Sequence, residues 1–526
     1  MSTIIFNNVS FAYSAEKPIL SNATVTFNKG KTGIVGRNGV GKSTLFRLIL
    51  GELKPQQGTI TVPDSVGYLP QLLTLDSEST IADLFGVHDK LVALERIEAG
   101  STKIKDYDTL GDDWEIREQV QAKLDEAGLS ALSIDRKINT LSGGETILCA
   151  LTGLQFQEFP IVLLDEPTNN LDMETKAQLY QQLKSWQGTL LIISHDTELL
   201  ELMDETCELY DHTLKIYGGG YSLYREVLEG QQNKAKQQVK TAQQAFKNEK
   251  KQQIDKEKKL ATRNKVAKKA QATKGLPKSV VNTFKNKAEV SAGKFQDKVH
   301  DKVAKAQEEL DSEIEKLRTN SSIRIDLPDP QIPTHKVLAK LHSPFETIVL
   351  EGKSRVVLTG RNGVGKTRLL NSLFKHDNNE TYAEAFTQRI GYVTQHLGNL
   401  SEDKSLLENI KEANPNALDN DVRAQLARFL FKGDQVDKLA KELSGGERFR
   451  LALAKILLTE PANQLIVLDE PSNNLDLDSV NELVSALSNY NGALLVVSHD
   501  KNLIEQLKPN SRVEMRDSGL TFVGLR

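Results

Sequence analysis

Cysteine is nearly missing from this chain of 526 residues: Cys149 and Cys207 are its only two, far apart and without metal-ligand spacing. That excludes a disulfide-stapled secreted scaffold and a thiolate metal site, and it fits buried thiols in a reducing compartment. Long apolar runs are missing as well. Nothing approaches the ~18 consecutive apolar residues of a membrane-spanning helix. The longest runs, Ile161–Leu164 and Ala493–Val497 among them, stop at acidic or polar residues, as buried strands do. Met1-Ser2-Thr3 leads straight into a strand pattern, without the basic region and apolar core of a secretion signal. A soluble cytoplasmic protein is therefore expected. At 39% hydrophobic and 26% charged, its length allows two or three ordinary cores.

The net charge of −4 hides an uneven distribution. From Gln231 to Lys305 there are 21 Lys and Arg against 6 Asp and Glu, an excess of 15 positive charges, which leaves −19 for the remainder. An acidic body carries a strongly basic segment.

What the chain has in abundance is repetition. Gly36-Arg37-Asn38-Gly39-Val40-Gly41-Lys42-Ser43 recurs as Gly360-Arg361-Asn362-Gly363-Val364-Gly365-Lys366-Thr367. Each copy is followed in order by Leu-Ser-Gly-Gly-Glu, Leu-Asp-Glu-Pro and Ser-His-Asp. The offset between copies is 324 residues at Lys42/Lys366 and at Gln71/Gln395, but 302 at Leu141/Leu443 and 304 at Asp165/Asp469 and His195/His499. The first copy therefore holds about 22 more residues, all between Gln71 and Leu141, with the polar helical stretch 87–115 as the candidate surplus. Either a lengthened surface helix pair or a small contact arm fits it. Within each copy the pattern runs strand, Gly-rich loop, helix, helical insert, strand, helix, strand, with short apolar strands suited to a parallel sheet covered on both faces. The fold expected is α/β, two cassettes each with a mostly parallel sheet and a helical subdomain.

In a Gly-x4-Gly-Lys-[Ser/Thr] loop, glycines let backbone N–H groups curl around phosphates, the lysine adds a point charge and the hydroxyl faces Mg²⁺. Gly36, Asn38, Gly39, Gly41, Lys42, Ser43 and Thr44 are the first set of nucleotide-binding candidates; Gly360, Asn362, Gly363, Gly365, Lys366, Thr367 and Arg368 are the second. Asp165 and Asp469 end apolar strands, as a carboxylate holding the Mg²⁺ shell should. Glu166 and Glu470 follow directly and suit orientation or deprotonation of an attacking water. A glutamate there would otherwise cap a helix, but the downstream histidines favour chemistry. His195 and His499 lie at equal distances from the two Asp-Glu pairs and read as γ-phosphate sensors. Gln71 and Gln395 are candidates to reach the metal or its water. The Leu-Ser-Gly-Gly-Glu stretches open a helix with a serine and two amides, an anion site. Because each cassette's own loop already holds its phosphates, Ser142, Gly143 and Gly144 are expected to serve the Lys366 loop. Ser444, Gly445 and Gly446 would serve the Lys42 loop.

This ordered set resembles the ATP-binding cassette superfamily. Two cassettes, no membrane domain and a charged linker resemble its ABC-F branch of ribosome-associated ATPases. Asp165 to Asp172, Asp469 to Asp476 and Tyr217-Gly-Gly-Gly-Tyr221-Ser-Leu-Tyr224 are similar to that branch's usual sequence. The resemblance implies ATP and Mg²⁺ as ligands, adenine over guanine included, and places Tyr13 where the family stacks an aromatic on the base. Three departures stand out. Asn170 and Asn474 replace the branch's usual histidine. Thr146-Ile147-Leu148 stands in the first signature where the second has Arg448-Phe449-Arg450. No tyrosine matches Tyr13 in the second copy, where His342 and Phe345 are weak substitutes, so the two sites are expected to differ in affinity.

The divisions expected are 1–221, 222–320 and 321–526. In the middle part, Phe295, Val299, Val303, Ala306, Leu310, Ile314 and Leu317 fall at spacings of 4, 4, 3, 4, 4 and 3, a nearly straight apolar seam. Val239, Ala242, Phe246, Ile254 and Leu260 form a thinner stripe, and Gly275-Leu276-Pro277 breaks the helix between them. An antiparallel helical hairpin is expected over a disordered basic tether. A helix of ~45 residues reaches ~65 Å. Clustered lysine suits the backbone of a structured RNA, and the scarcity of aromatics argues against base stacking. The resemblance implies a ribosomal partner, with Lys265, Lys268, Lys269, Lys274, Lys278, Lys285 and Lys287 near rRNA, P-site tRNA and the peptidyl-transferase centre. It also implies a monomer whose own cassettes pair. Some relatives protect ribosomes from antibiotics, and length alone does not separate protection from rescue of stalled ribosomes. The competing expectation is the ATPase subunit of a transporter whose membrane chains are separate. A DNA-repair or chromosome-structuring ATPase fits worse, because those carry their coiled coil inside one cassette.

Overall fold

The computed structural model describes residues 3–14, 17–63, 65–71, 78–273, 301–314, 327–333, 335–375, 379–394, 397–473 and 475–524. Gln395, Asn474, the Gly275-Leu276-Pro277 break, seam positions Phe295, Val299 and Leu317, and Lys274, Lys278, Lys285 and Lys287 lie outside the described residues, as do the side chains of Leu260, Lys265, Lys268 and Lys269.

The first cassette contributes β1 (Ile4–Ser14), β2 (Lys17–Phe27), β3 (Gly30–Val35), β4 (Gln57–Thr61), β5 (Val66–Leu69), β6 (Ile161–Asp165), β7 (Thr189–Ile193), β8 (Glu205–Tyr210) and β9 (Thr213–Gly218). They form an antiparallel sheet, β2-β1-β4, and a six-stranded sheet, β5-β6-β7-β3-β8-β9, parallel except for its last pair. The second contributes β10 (Val337–His342), β11 (Thr347–Glu351), β12 (Arg355–Thr359), β13 (Tyr382–Ala385), β14 (Ile390–Val393), β15 (Leu465–Asp469), β16 (Ala493–Val497), β17 (Ser511–Arg516) and β18 (Gly519–Phe522). Its sheets repeat the order, β11-β10-β13 and β14-β15-β16-β12-β17-β18.

Period-two patterning explains why the parallel strands read as unbroken apolar runs. In β6, Ile161 and Leu163 join the core that contains Phe6, Phe27 and Phe46, while Val162 and Leu164 join the core of the helical subdomain with Leu148, Leu151 and Leu179. In β15, Leu465 and Val467 divide from Ile466 and Leu468 in the same way. The first cassette's surplus falls on two short helices, His88–Glu98 and Ile104–Leu110, joined through Gly100 at φ 93°. Leu91, Leu94 and Leu110 are buried with Val120 and Leu124, while Ile104, Tyr107 and Trp114 are exposed.

Both cassettes, Met1–Ser222 and Ser322–Arg526, form one compact unit; Leu223–Ser321 form another. In the latter, a continuous helix begins in the preceding unit and runs Tyr221–Thr273, and residues 301–314 are helical. Half-buried positions on the first helix recur at spacings of 3 and 4: Ala235, Val239, Ala242, Phe246, Glu249 and Gln253. Ile254, expected in the stripe, is 45% exposed because it sits one residue past that register. On the other helix Ala306 and Leu310 are buried, whereas Ile314, expected in the seam, is 47% exposed.

Candidate functional site

The carboxyl ends of β6, β7 and β3, three neighbours in one parallel sheet, carry Asp165-Glu166, His195 and the Gly-rich loop. β15, β16 and β12 do the same for Asp469-Glu470, His499 and the second loop. Ligands of open α/β sheets bind at such strand ends. Each loop runs into a helix, Lys42–Ile49 or Lys366–Asn371, whose first residue follows a left-handed glycine at φ 111° or 106°. A side chain at Gly36 would press its Cβ to 2.6 Å from the Leu209 carbonyl oxygen, and at Gly360 to 2.3 Å from that of Met515. The loop can hug the sheet only as glycine.

Both lysines are turned into their loops. Lys42 Nζ donates to the Gly36 carbonyl at 2.6 Å and lies 3.0 Å from His195 Nε2; Lys366 Nζ donates to the Gly360 carbonyl at 2.6 Å and lies 2.9 Å from His499 Nε2. Burial lowers the pKa of each lysine, with carboxylates of both cassettes opposing: Glu166, Asp476 and Asp165 at Lys42, and Glu470, Asp172 and Asp469 at Lys366. Burial, then the neighbouring lysine, holds His195 below its usual range and His499 down at about 4. Near neutral pH both imidazoles are therefore uncharged, and Nε2 can accept from the ammonium.

Glu166 and Glu470 adopt φ 50° and 49°, left-handed backbone that costs an L-residue ~1–2 kcal/mol. Their N–H groups donate to the Ile193 and Val497 carbonyls at 2.8 and 2.9 Å, which anchors the turn. Four buried apolar side chains in β6, at ~1.5–3 kcal/mol each, outweigh that strain. Glu166 Oε1 stands 3.2 Å from His195 Nε2, and Glu470 Oε1 3.4 Å from His499 Nε2. Burial raises both carboxyls, Glu470 to about 7, with Lys42 and Lys366 opposing and Asp165 and Asp469 adding. Glu166 Oε2 is buried without a hydrogen-bond partner. Such a carboxyl, poised near neutrality beside a neutral imidazole, can take a proton from water.

The two cassettes face each other across one cavity of about 890 Å³. Its walls hold both lysines, both glutamates and both histidines, together with Ser43, Thr367, Gln71 and Tyr13. Ser444 and Gly445 reach it, whereas Gly446, Ser142, Gly143 and Gly144 do not line it. Both signature serines cap their helices: Ser142 Oγ accepts from Glu145 N at 3.2 Å, and Ser444 Oγ from Glu447 N at 3.4 Å. Tyr13 lies at the end of the 11-residue β1, 57% exposed, its hydroxyl 3.2 Å from Thr44 Oγ1. The matching strand β10 has only 6 residues. His342 stacks on Tyr382 at 4.7 Å, Phe345 is 77% exposed, and neither lines the cavity.

Sequence reasoning missed the residues that join the halves. Asn38 N donates to Asp476 Oδ2 at 2.7 Å, and Asn362 N to Asp172 Oδ2 at 3.1 Å, so each phosphate loop is held by the opposite cassette. The same aspartates cap their helices through Thr175 N and Ser479 N. Arg37 pairs with Asp478 at 2.9 Å and Arg361 with Glu174 at 3.2 Å. The signal was available: Asp172 and Asp476 stand at the 304-residue offset shared by the Asp-Glu pairs and the two histidines. Asn170, at φ 59°, accepts from Asn362 Nδ2 at 2.6 Å and from Asn473 Nδ2 at 3.2 Å, so it too joins the interface.

Ser43 hydrogen-bonds Asp165, and Thr367 Oγ1 donates to Asp469 Oδ2 at 2.8 Å. A hydroxyl beside one carboxylate is a hard-oxygen donor set that fits Mg²⁺ completed by phosphate oxygens. Among the described residues no group of three or more His, Cys, Asp or Glu could hold a metal alone.

A family model described as ABC transporter matches residues 20–169 and 347–473. The "Putative ATP-binding protein YdiF" of Bacillus subtilis is 32% identical, over 96% of this chain and 79% of its own length. The "Tylosin resistance ATP-binding protein TlrC" of Streptomyces fradiae is 30% identical over 95% of each. The "Probable ATP-binding protein YheS" of Escherichia coli is 31% identical over 95% of this chain and 77% of its own. Among solved structures, "RNase-L Inhibitor" superposes with a TM-score of 0.57 at 18% identity, covering 99% of this chain and 91% of that one. No described helix is long and apolar enough to cross a membrane.

Proposed function

Because this chain belongs to the ABC-F family of duplicated ATP-binding cassette ATPases, we propose that its ATP hydrolysis drives a translation factor. ATP closes the cassettes while the protein sits on the ribosome, the basic inter-cassette hairpin acts near P-site tRNA and the peptidyl-transferase centre, and hydrolysis releases it. The observation that carries this reading is the pairing of a two-loop ATP cavity with a helix of 53 residues, about 80 Å at 1.5 Å per residue, entering a segment with 15 excess positive charges. TlrC's name supports antibiotic protection as one form of that activity.

Lys42 and Lys366 hold the β- and γ-phosphates, while Ser43 with Asp165 and Gln71, and Thr367 with Asp469 and Gln395, would hold Mg²⁺. That ion supplies charge neutralisation at the phosphates when bound. Glu166 or Glu470 orients water for in-line attack on the γ-phosphorus and takes its proton as the bond to the β-phosphate oxygen breaks. His195 or His499 holds the γ-phosphate. Ser444, which lines the cavity, completes the first site from the facing cassette; Ser142 would complete the second only by moving up to the cavity it does not line here.

The double variant Glu166→Gln/Glu470→Gln, saturated with ATP, is expected to pellet with ribosomes and not with membranes. Recovery in the membrane fraction would instead favour the transporter subunit. Replacing Lys268, Lys269, Lys274 and Lys278 with Gln is expected to abolish function in cells; full complementation would remove the hairpin from the mechanism.

A further inference from the structure

The interface is not symmetric, and one buried ion pair on the first cassette's side contributes to the difference. Lys176 lies in the helix Met173–Lys184, one turn past the Asp172 that holds the second phosphate loop. Its Nζ reaches Asp196 Oδ2 at 2.8 Å, with the two side chains only 16% and 10% exposed. Tyr180 donates to the same oxygen at 2.7 Å, and Asp196 Oδ1 accepts from Glu198 N and Leu199 N. The pair therefore clamps the helix headed by Asp172 to the loop that carries His195. Lys176 also lines the cavity that holds Glu470 and His499 of the opposite cassette. At the 304-residue offset the second cassette has Val480 and Val484 in place of Lys176 and Tyr180. Both valines are buried in the second cassette's core, and Asp500 Oδ1 accepts from its own helix at Leu503 N, 3.1 Å.

We infer that Lys176 is a positioning residue for the second ATP site, supplied across the interface by the first cassette. The equivalent position of the second cassette offers the first site only Val480, and the cation that reaches across in the other direction, Lys501, pairs with the more exposed Glu198. A buried ion pair fixes geometry because neither partner can trade it for water. With the clamp in place, Asp172 is held at the second phosphate loop and the lysine's charge faces Glu470 and His499. The first site receives Asp476 from a helix that lacks this tether. The inference rests on two hydrolysing sites and not on the ribosomal reading.

Single-turnover hydrolysis separates the sites: Glu166→Gln leaves only the second competent, Glu470→Gln only the first. Lys176→Val should still fold, since Asp196 keeps Tyr180 and two backbone N–H groups. In the Glu166→Gln protein it is expected to lower the rate at saturating ATP at least fivefold, with the half-saturating ATP concentration changed less than twofold. In the Glu470→Gln protein the loss should be clearly smaller, since Tyr180 and two backbone N–H groups still hold Asp196 and the His195 loop. Lys176→Arg, which keeps the ion pair, should restore the rate. Equal losses in both backgrounds, a change confined to ATP affinity, or an arginine as poor as valine would overturn the inference. Absence of hydrolysis in both single-glutamate proteins would overturn the two-site reading with it.

Discussion

The two cassettes share strand order, phosphate loop, left-handed glutamate and neutral histidine, yet they differ at their edges. The first has an 11-residue opening strand with Tyr13, an extra helix pair and the Lys176–Asp196 clamp; the second has a 6-residue strand and Val480. What repeats is the chemistry done at strand ends. What diverges is everything that approaches the nucleotide from outside the sheet.

The largest expected break in that comparison comes from the phosphate lysines. Losing a charge-assisted contact costs ~1.5–3 kcal/mol, so Lys42→Ala and Lys366→Ala should each weaken ATP binding at one site about 10- to 100-fold. A titration with two resolved sites checks this, and unchanged affinity at either site would remove that lysine from its assigned role.

The next effect is read in pH. A general base works only when deprotonated, and burial raises both glutamates. With Glu470 up at about 7, hydrolysis by the Glu166→Gln protein should fall about tenfold per pH unit below that value. Glu166 is the more deeply buried of the two, and the Lys176 charge adds a smaller lowering at Glu470 that Val480 cannot give Glu166. The acid limb of the Glu470→Gln protein should therefore lie at higher pH. Rate profiles from pH 5 to 9 decide it, and coincident limbs would contradict the asymmetry.

The smallest effect concerns the base. Aromatic stacking contributes ~0.5–1.5 kcal/mol, so Tyr13→Ala should weaken ATP at the first site about fivefold. His342→Ala should leave the second unchanged, because His342 is engaged with Tyr382 away from the cavity. Equal weakening by both would restore symmetry between the sites.

Much of this site was legible before any coordinates. A strand ending in Asp-Glu, a Gly-rich loop and a Ser-His-Asp turn are local, and their chemistry requires those residue types at those spacings. The contacts of Asp172 and Asp476 were not, because each acts on a loop some 190 or 440 positions away and looks locally like a helix cap. The unequal reach of Ser444 and Ser142 toward the cavity was equally hidden, since both open the same motif with the same capping box.

By itself the sequence determined that there would be two phosphate-binding cassettes, since glycine, lysine and carboxylate at fixed intervals leave the backbone few alternatives. It also set the basic character of the segment between them. Only the tertiary structure decided which helix end meets which loop, and that Lys176 has an acidic partner where Val480 has a core. Both depend on surfaces meeting across an interface, where a side chain's role is set by neighbours distant in the chain.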